Sequence, residues 1–163
     1  MVNGSLNIGN QLLCLQKAGF KNLHGIELQS YAVKLSKSRT EGINITQGSA
    51  FDIPFKDGFF NLVFTSGLLI HIASEDINRV LDEIHRCTKQ YIWCFEYYSD
   101  VYTPMPYRGR ADLLWKANFS KLFLDRFEDL ILIQEEHFKW LDNSNKIDFM
   151  FLLQKRVTGE GTG

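Results

Sequence analysis

Phe60-Asn61-Leu62-Val63-Phe64-Thr65-Ser66-Gly67-Leu68-Leu69-Ile70-His71-Ile72 is the stretch whose reading decides the fold. It begins as an apolar run rich in β-branched and aromatic residues, too short for a globular helix and preceded by the turn signal Asp57-Gly58. A parallel strand covered on both faces reads this way. Thr65, Ser66 and Gly67 then mark the strand's end and the start of a loop. In open α/β sheets that carboxyl edge is where ligands bind. His71 follows at once.

Upstream, Leu12, Leu13, Leu15 and Ala18 recur at helical spacing after Gly9-Asn10, and Gly19 supplies a stop. Asn22 to Leu28 reads as a short strand ending in Glu27. Ser30 is expected to cap a helix that ends near Glu41-Gly42, and Ile43 to Gln47 forms the next strand. A loop, Gly48 to Phe55, leads into the turn before Phe60. Downstream, Ser74-Glu75-Asp76-Ile77 has the look of a capping box. Ile77, Val80, Leu81, Ile84 and Cys87 make one apolar helical face behind it. Tyr91 to Tyr98 is an aromatic strand, and Ser99 to Arg110 reads as a long loop. A helix is expected over roughly Gly109 to Phe127. Leu130 to Trp140 and Lys146 to Lys155 flank the turn Asp142-Asn143-Ser144-Asn145 as a hairpin. Alternating strands and helices closed by a hairpin predict an α/β, Rossmann-like, mostly parallel sheet with an antiparallel C-terminal edge. Residues 1–156 are expected to form one domain, and Val157 to Gly163 a flexible tail.

Composition narrows the partners. A formal net charge of -1 gives no general attraction to nucleic acid or acidic membranes. No apolar run approaches the roughly 20 residues that span a bilayer. The N-terminus lacks the basic and apolar segments of a signal peptide, so a cytoplasmic address is expected. Cys14, Cys87 and Cys94 sit in apolar contexts without metal-ligand pairing, which reads as reduced thiols and no metal site.

Right-handed crossovers would bring the loops at Asn7 to Asn10, Glu27, Ser49 to Asp52 and Thr65 to His71 to one sheet edge. Glu27 ends a strand roughly 20 residues after a Gly-containing turn, where a carboxylate accepts hydrogen bonds from a ribose diol. Ser49-Ala50-Phe51-Asp52 offers amides, a hydroxyl, an aromatic face and a carboxylate suited to an adenine ring; Asp52 reads equally as a turn cap, and Phe51 as core.

Together these residues resemble the class I S-adenosylmethionine-dependent methyltransferases. Glu27 resembles the acid that holds the ribose, Gly48 to Phe55 the family's G-D-A-x-x-L-P-F adenine loop, and Asp57 to Val63 its D-G-x-F-D-x-V approach to the fourth strand. The closest likeness is to the methylases associated with pseudaminic acid biosynthesis. It is carried by Gly48 to Phe55, Phe64 to Gly67, Ile70-His71-Ile72, Tyr91 to Tyr98, Tyr107-Arg108-Gly109 and Leu114-Trp115-Lys116. The resemblance implies S-adenosylmethionine as cofactor, held by Asn7, Gly9, Glu27, Leu28, Ser49, Ala50, Phe51, Asp52, Thr65 and Ser66. His71 is the general-base candidate, and reads equally as packing beneath the next helix. Glu96, Tyr97 and Tyr98 at a strand end, with Tyr107, Arg108 and Trp115, would line a small-molecule acceptor site. Arg108 would suit an acidic or nucleotide-linked sugar.

The glycine-rich turn departs from that family. Asn3-Gly4-Ser5-Leu6-Asn7-Ile8-Gly9-Asn10 stands where E-x-G-C-N-x-G-N is usual, and the resemblance leads one to expect that most of the first strand is absent. In this fold that strand is central, so its loss leaves a gap in backbone pairing. Two further expectations follow: a catalytically silent binding or assembly module as the alternative function, and self-association in which a neighbouring subunit supplies the strand. The absent G-x-G-x-x-G turn argues against a nicotinamide dehydrogenase.

Overall fold

The computed structural model describes residues 8–110, 112–141 and 147–156. The chain opens with α1 (Ile8–Lys17), β1 (His24–Glu27), α2 (Ser30–Arg39) and β2 (Asn44–Gln47). After β3 (Phe60–Ser66) come a 3₁₀ turn (Leu69–His71), α3 (Ile77–Cys87) and β4 (Thr88–Tyr97). Two short strands, β5 (Thr103–Pro104) and β6 (Trp115–Lys116), precede α4 (Phe119–Arg126) and the hairpin β7 (Leu130–Lys139) and β8 (Ile147–Lys155).

The strands form two principal sheets. β1 pairs with β2 in parallel, from His24 opposite Asn44 to Glu27 opposite Gln47. The larger sheet has the order β3-β4-β8-β7, its first pair parallel and the rest antiparallel. Among the described residues no strand joins β1 to β3. Side chains cross that interval instead. Phe64 of β3 packs with Leu12, Leu23, Val33, Ile43 and Ile45, and Ile26 of β1 belongs to the core around β3, α3 and β4. His24 on β1 meets the rings of Phe55, Phe59 and Phe60 edge-on at 5.5–5.7 Å.

Local chemistry explains most element ends. α1 closes in a Schellman motif: the Phe20 amide donates to Leu15 O and the Gly19 amide to Gln16 O, with Gly19 at φ +92°. α3 buries Ile77, Val80, Leu81, Ile84 and Cys87, the face that the 3.6-residue period predicts.

Several boundaries differ from expectation. Ser30 is the first residue of α2 rather than its cap; Gln29 takes that place and makes no side-chain capping bond. The capping box at Ser74 does not form, because the turn before α3 is closed by the backbone. The amides of Asp76 and Ile77 both donate to Ala73 O, while Ser74 Oγ donates to Glu75. The helix expected from Gly109 begins only at Phe119, since Asn118 Oδ1 accepts the Lys121 amide and fixes the N-terminus there. Leu114 and Ala117 are buried from an extended segment, which pairs Trp115 and Lys116 with Pro104 and Thr103 inside the presumed loop. The readings at Asn3 to Asn7, the hairpin turn Asp142 to Asn145 and the tail lie outside the described residues. Among the described residues no helix is long and apolar enough to cross a membrane.

Candidate functional site

The carboxyl ends of β1, β2, β3 and β4 share one edge, and two cavities open there. The inner one, of about 260 Å³, lies among Gln11 on α1, Ser66 at the end of β3, Gly67 after it, His71, and Glu96 and Tyr97 at the end of β4. The outer one, of about 340 Å³, is lined by His71, Tyr97, Met105, Tyr107, Lys116, Trp140 and Asp148 among others. His71 and Tyr97 border both.

Glu27, only 4% exposed, sits at the last position of β1. One carboxylate oxygen accepts the Gln29 amide at 3.2 Å, and the Glu27 carbonyl accepts the Gly48 amide at 3.0 Å. The loop after β2 is a tight turn. Ser49 Oγ accepts the Phe51 amide and Ser49 O the Asp52 amide. Ser49 is thus engaged in its own turn, Ala50 and Phe51 are half-buried, and Asp52 and Leu28 face solvent. The Arg79 guanidinium lies 5.2 Å over the Phe51 ring.

Arg86 fastens this loop from α3. It donates to the carbonyls of Phe55 and Ile53 and to Asp57 and Glu83, while Glu83 accepts the Ile53 amide at 2.6 Å. The Arg86 bonds hold the Glu83 carboxyl below the usual carboxylate range.

Beneath the loop after β3 lies Glu96, fully buried. Thr65 Oγ1 donates to Oε1 at 2.9 Å, the Leu68 amide to Oε1 at 3.2 Å and the Ile70 amide to Oε2 at 3.3 Å. Burial pushes its carboxyl up to about 7 against the pull of those donors. Glu96 therefore shapes the Thr65 to His71 loop from below, and Thr65 is committed to it.

His71 is exposed, and its Nδ1 lies 3.1 Å from Leu113 O. A carbonyl only accepts, so Nδ1 is the donor in this contact, and in the neutral ring Nε2 is the acceptor. Tyr107 brings its ring within 6.1 Å of the imidazole. Arg108, at φ +52°, folds its guanidinium 5.2 Å over the Tyr107 ring and lies outside the outer cavity's lining. Trp115 is likewise outside it, whereas its neighbour Lys116 is in the wall. Tyr98 points elsewhere: its hydroxyl donates to Asp100, and its ring packs on His137 and Phe149. Gly9 lies in α1, and Asn7 is outside the described residues.

Sequence reasoning missed Gln11, Met105, Lys116, Trp140 and Asp148. Gln11 is brought in by the packing of α1, and the other four by β5, β6 and the hairpin, which no local pattern records.

With the sheet and its ligand edge defined, the class is plain: residues 4–94 match the model of the methyltransferase domain family, and the chain belongs to that family. The family match gives S-adenosylmethionine as its cofactor. The fold is also that of several solved structures. The Haloferax volcanii partner of the methyltransferase activator Trm112 is 15% identical, with a TM-score of 0.75 over 98% of this chain and 83% of that one. A Methanosarcina mazei S-adenosylmethionine-dependent methyltransferase is 15% identical, with a TM-score of 0.70 over 95% and 91%. A [4+2]-cyclase is 11% identical, with a TM-score of 0.70 over 96% and 74%. No curated protein matches by sequence. Toward an adenosyl group the described residues offer the Glu27 carboxyl at a strand end and the Phe51 ring on the neighbouring loop, though neither lines the two cavities.

Proposed function

We propose that this chain transfers a methyl group from S-adenosylmethionine to a small molecule seated in the outer cavity. The observation that carries the reading is His71, which borders both cavities with Nδ1 tied to Leu113 O and Nε2 free to accept a proton. S-adenosylmethionine supplies a methyl already activated on sulfonium, so the protein's share is positioning, exclusion of water and proton transfer. Glu27 accepts from the ribose hydroxyls, and Leu28 and the Ser49 to Asp52 turn flank the adenine. Gly9 and Ser66 approach the methionine end, with Thr65 steadying the loop. His71 Nε2 takes the proton the acceptor loses. Tyr107 and Arg108 form the outer rim, with Trp115 behind it and Glu96 beneath.

The finer reading is a sugar-type acceptor, in a cytoplasmic protein whose residues 1–156 form one domain. The likeness to the pseudaminic acid-associated methylases supports the acceptor class. A homo-oligomer belongs to the same reading, because β1 and β3 each leave one strand edge unpaired among the described residues.

Titration calorimetry with S-adenosylhomocysteine tests the proposal. Wild type is expected to bind in the micromolar range, and Glu27→Gln to weaken binding by about tenfold or more, the scale of a lost charge-assisted hydrogen bond. A second reading, a silent module that binds or assembles without transferring methyl, is favoured by one observation: the sheet is interrupted beside Glu27. A folded protein that takes up no S-adenosylhomocysteine would install that reading.

A further inference from the structure

Beside its buried face α3 carries a polar stripe. Arg79, Glu83 and Arg86 stand at i, i+4 and i+7, one above another on the helix, and each of them engages the loop after β2. Arg86 commits all five N–H groups of its guanidinium there. Nη1 donates to Phe55 O at 2.7 Å and to Asp57 at 2.9 Å, Nη2 to Ile53 O at 2.9 Å, and Nε and Nη2 to the two oxygens of Glu83 at 2.8 Å. Glu83 in turn accepts the Ile53 amide, and the Gly58 amide donates back to Arg86 O at 2.8 Å. Exposed ion pairs contribute little to stability, but a planar fork with every donor placed fixes position.

What it fixes is one end of the Ser49 to Asp52 turn. Ile53, the residue after Asp52, is buried and held by both its N–H and its C=O. The turn itself is closed from within, by the Phe51 and Asp52 amides donating to Ser49. Arg79 adds a guanidinium 5.2 Å over the Phe51 ring. On its other side the turn leaves β2, which belongs to the small sheet, whereas α3 packs into the core of the large one. The turn thus hangs between two pieces of the molecule, and the stripe decides where its Phe51–Asp52 end stands.

We propose that Arg86, with Glu83 and Arg79, is a positioning residue for base recognition, holding Phe51 and Asp52 where they select an adenine over a 6-oxopurine. The inference rests on the proposed function, which sets this turn beside the adenine, and adds what enforces the choice of base. Asp52 is exposed, and its carboxylate only accepts, so it takes an N–H from a 6-amino group and repels a 6-oxo group. That discrimination needs the carboxylate and the ring fixed relative to each other, and Arg86 acts on both through Ile53.

S-adenosylhomocysteine and S-inosylhomocysteine differ at that one position of the base, and calorimetric titration of both into the full chain reads the selectivity. Wild type is expected to favour the adenosyl compound by about tenfold, the scale of a hydrogen bond to a charged group. Arg86→Met, and the milder Glu83→Gln, are expected to bring the two affinities within about twofold. A ratio measured on one sample does not depend on how much of the protein is folded, because the unfolded chain binds neither compound, so a merely structural role leaves it unchanged. Arg126→Gln, which breaks an ion pair with Asp82 elsewhere on α3, is the control and is expected to keep the wild-type ratio. Equal binding of the two compounds by wild type, or a preference that survives both Arg86→Met and Glu83→Gln, would overturn this inference and leave the transferase reading standing. Folded wild type that binds neither compound would overturn the transferase reading, and this inference with it.

Discussion

The β1–β2 piece pairs four residues per strand and rests on a small cluster formed by Leu12, Leu23, Val33, Ile43, Ile45 and Phe64. The β3-β4-β8-β7 sheet instead runs strands of seven to ten residues over a continuous core that includes Phe119, Phe123, Phe149 and Phe151, all fully buried. An isolated two-stranded sheet is marginal, while four strands covered by helices hold themselves. The proposed site draws on both pieces: Tyr97 and Asp148, in the wall of the outer cavity, belong to the large sheet, whereas Glu27 belongs to the small one. The piece that would grip the ribose is therefore the less secured of the two. It is tied to the rest by side-chain packing at His24, Ile26 and Phe64, and by Arg86 through the loop after β2. That difference separates holding a fold from holding a cofactor: the first can be strong where the second is adjustable.

The largest effect should come from the large sheet. Phe149→Ala removes a ring that contacts Tyr98, Phe119 and Phe151, and should cost about 3–5 kcal/mol in urea unfolding. Native-state hydrogen exchange then tests the comparison directly. The Ile26 amide in β1 should exchange through a local opening well before the Cys94 amide in β4, which should follow global unfolding. Equal protection at the two positions would break the comparison, because the two pieces would then be one cooperative unit.

The next effect is electrostatic and also belongs to the large sheet. Glu96 is held at about 7, above the ordinary 4.5, by burial. Its folded-state value is raised, so between these values the native state holds a proton that the unfolded state has released. Stability from this group is therefore full below about pH 4.5 and is lost as pH rises to about 7, by on the order of 3 kcal/mol, with no further loss above. Urea midpoints across that range should show the decline, and Glu96→Gln should flatten it. A variant that keeps the wild-type slope would assign the decline to other groups.

How much of this was readable beforehand follows the range of the interactions. β3 and the buried face of α3 depend on local period and were legible, as was the position of Glu27 at a strand end. The starts of α2, α3 and α4 were less so, because several nearby polar side chains compete for a helix N-terminus. At α3 the Ala73 carbonyl closes the turn and leaves Ser74 unused; at α4 Asn118 ends an apolar pattern that looked helical from Leu113 onward. Of the inner cavity's residues, Ser66, Glu96 and Tyr97 come from strand ends and could be named in advance, whereas Gln11 on α1 could not. Asp148 and Lys116 could not, since each joins the outer cavity only after β5, β6 and the hairpin cross over it. Tyr98 illustrates the remaining ambiguity: its strand position was right, but its ring packs on Phe149 while Tyr97 faces the cavities.

The smallest effect sharpens the comparison at the seam. Gly48 follows β2, donates its amide to Glu27 O, and leaves no room for a side chain: a Cβ there would stand 2.9 Å from Ile26 Cγ2 and 2.9 Å from Pro54 Cδ. Neither neighbour yields easily, since Pro54 is a rigid ring and Ile26 is buried in the core beneath β1. Gly48→Ala should therefore push the small piece and the adenine loop apart, at about 1–3 kcal/mol of overpacking. Because Glu27 and Phe51 lie on the two sides of that displacement, S-adenosylhomocysteine should bind several-fold more weakly, by about 1 kcal/mol. The large sheet takes no part in the contact, so the protection of Cys94 relative to global unfolding should not change. An unaltered cofactor affinity in a destabilised Gly48→Ala protein would mean that β1, β2 and the adenine loop shift together as one rigid body. The seam would then lie along β3, at Phe64, rather than between Glu27 and Phe51.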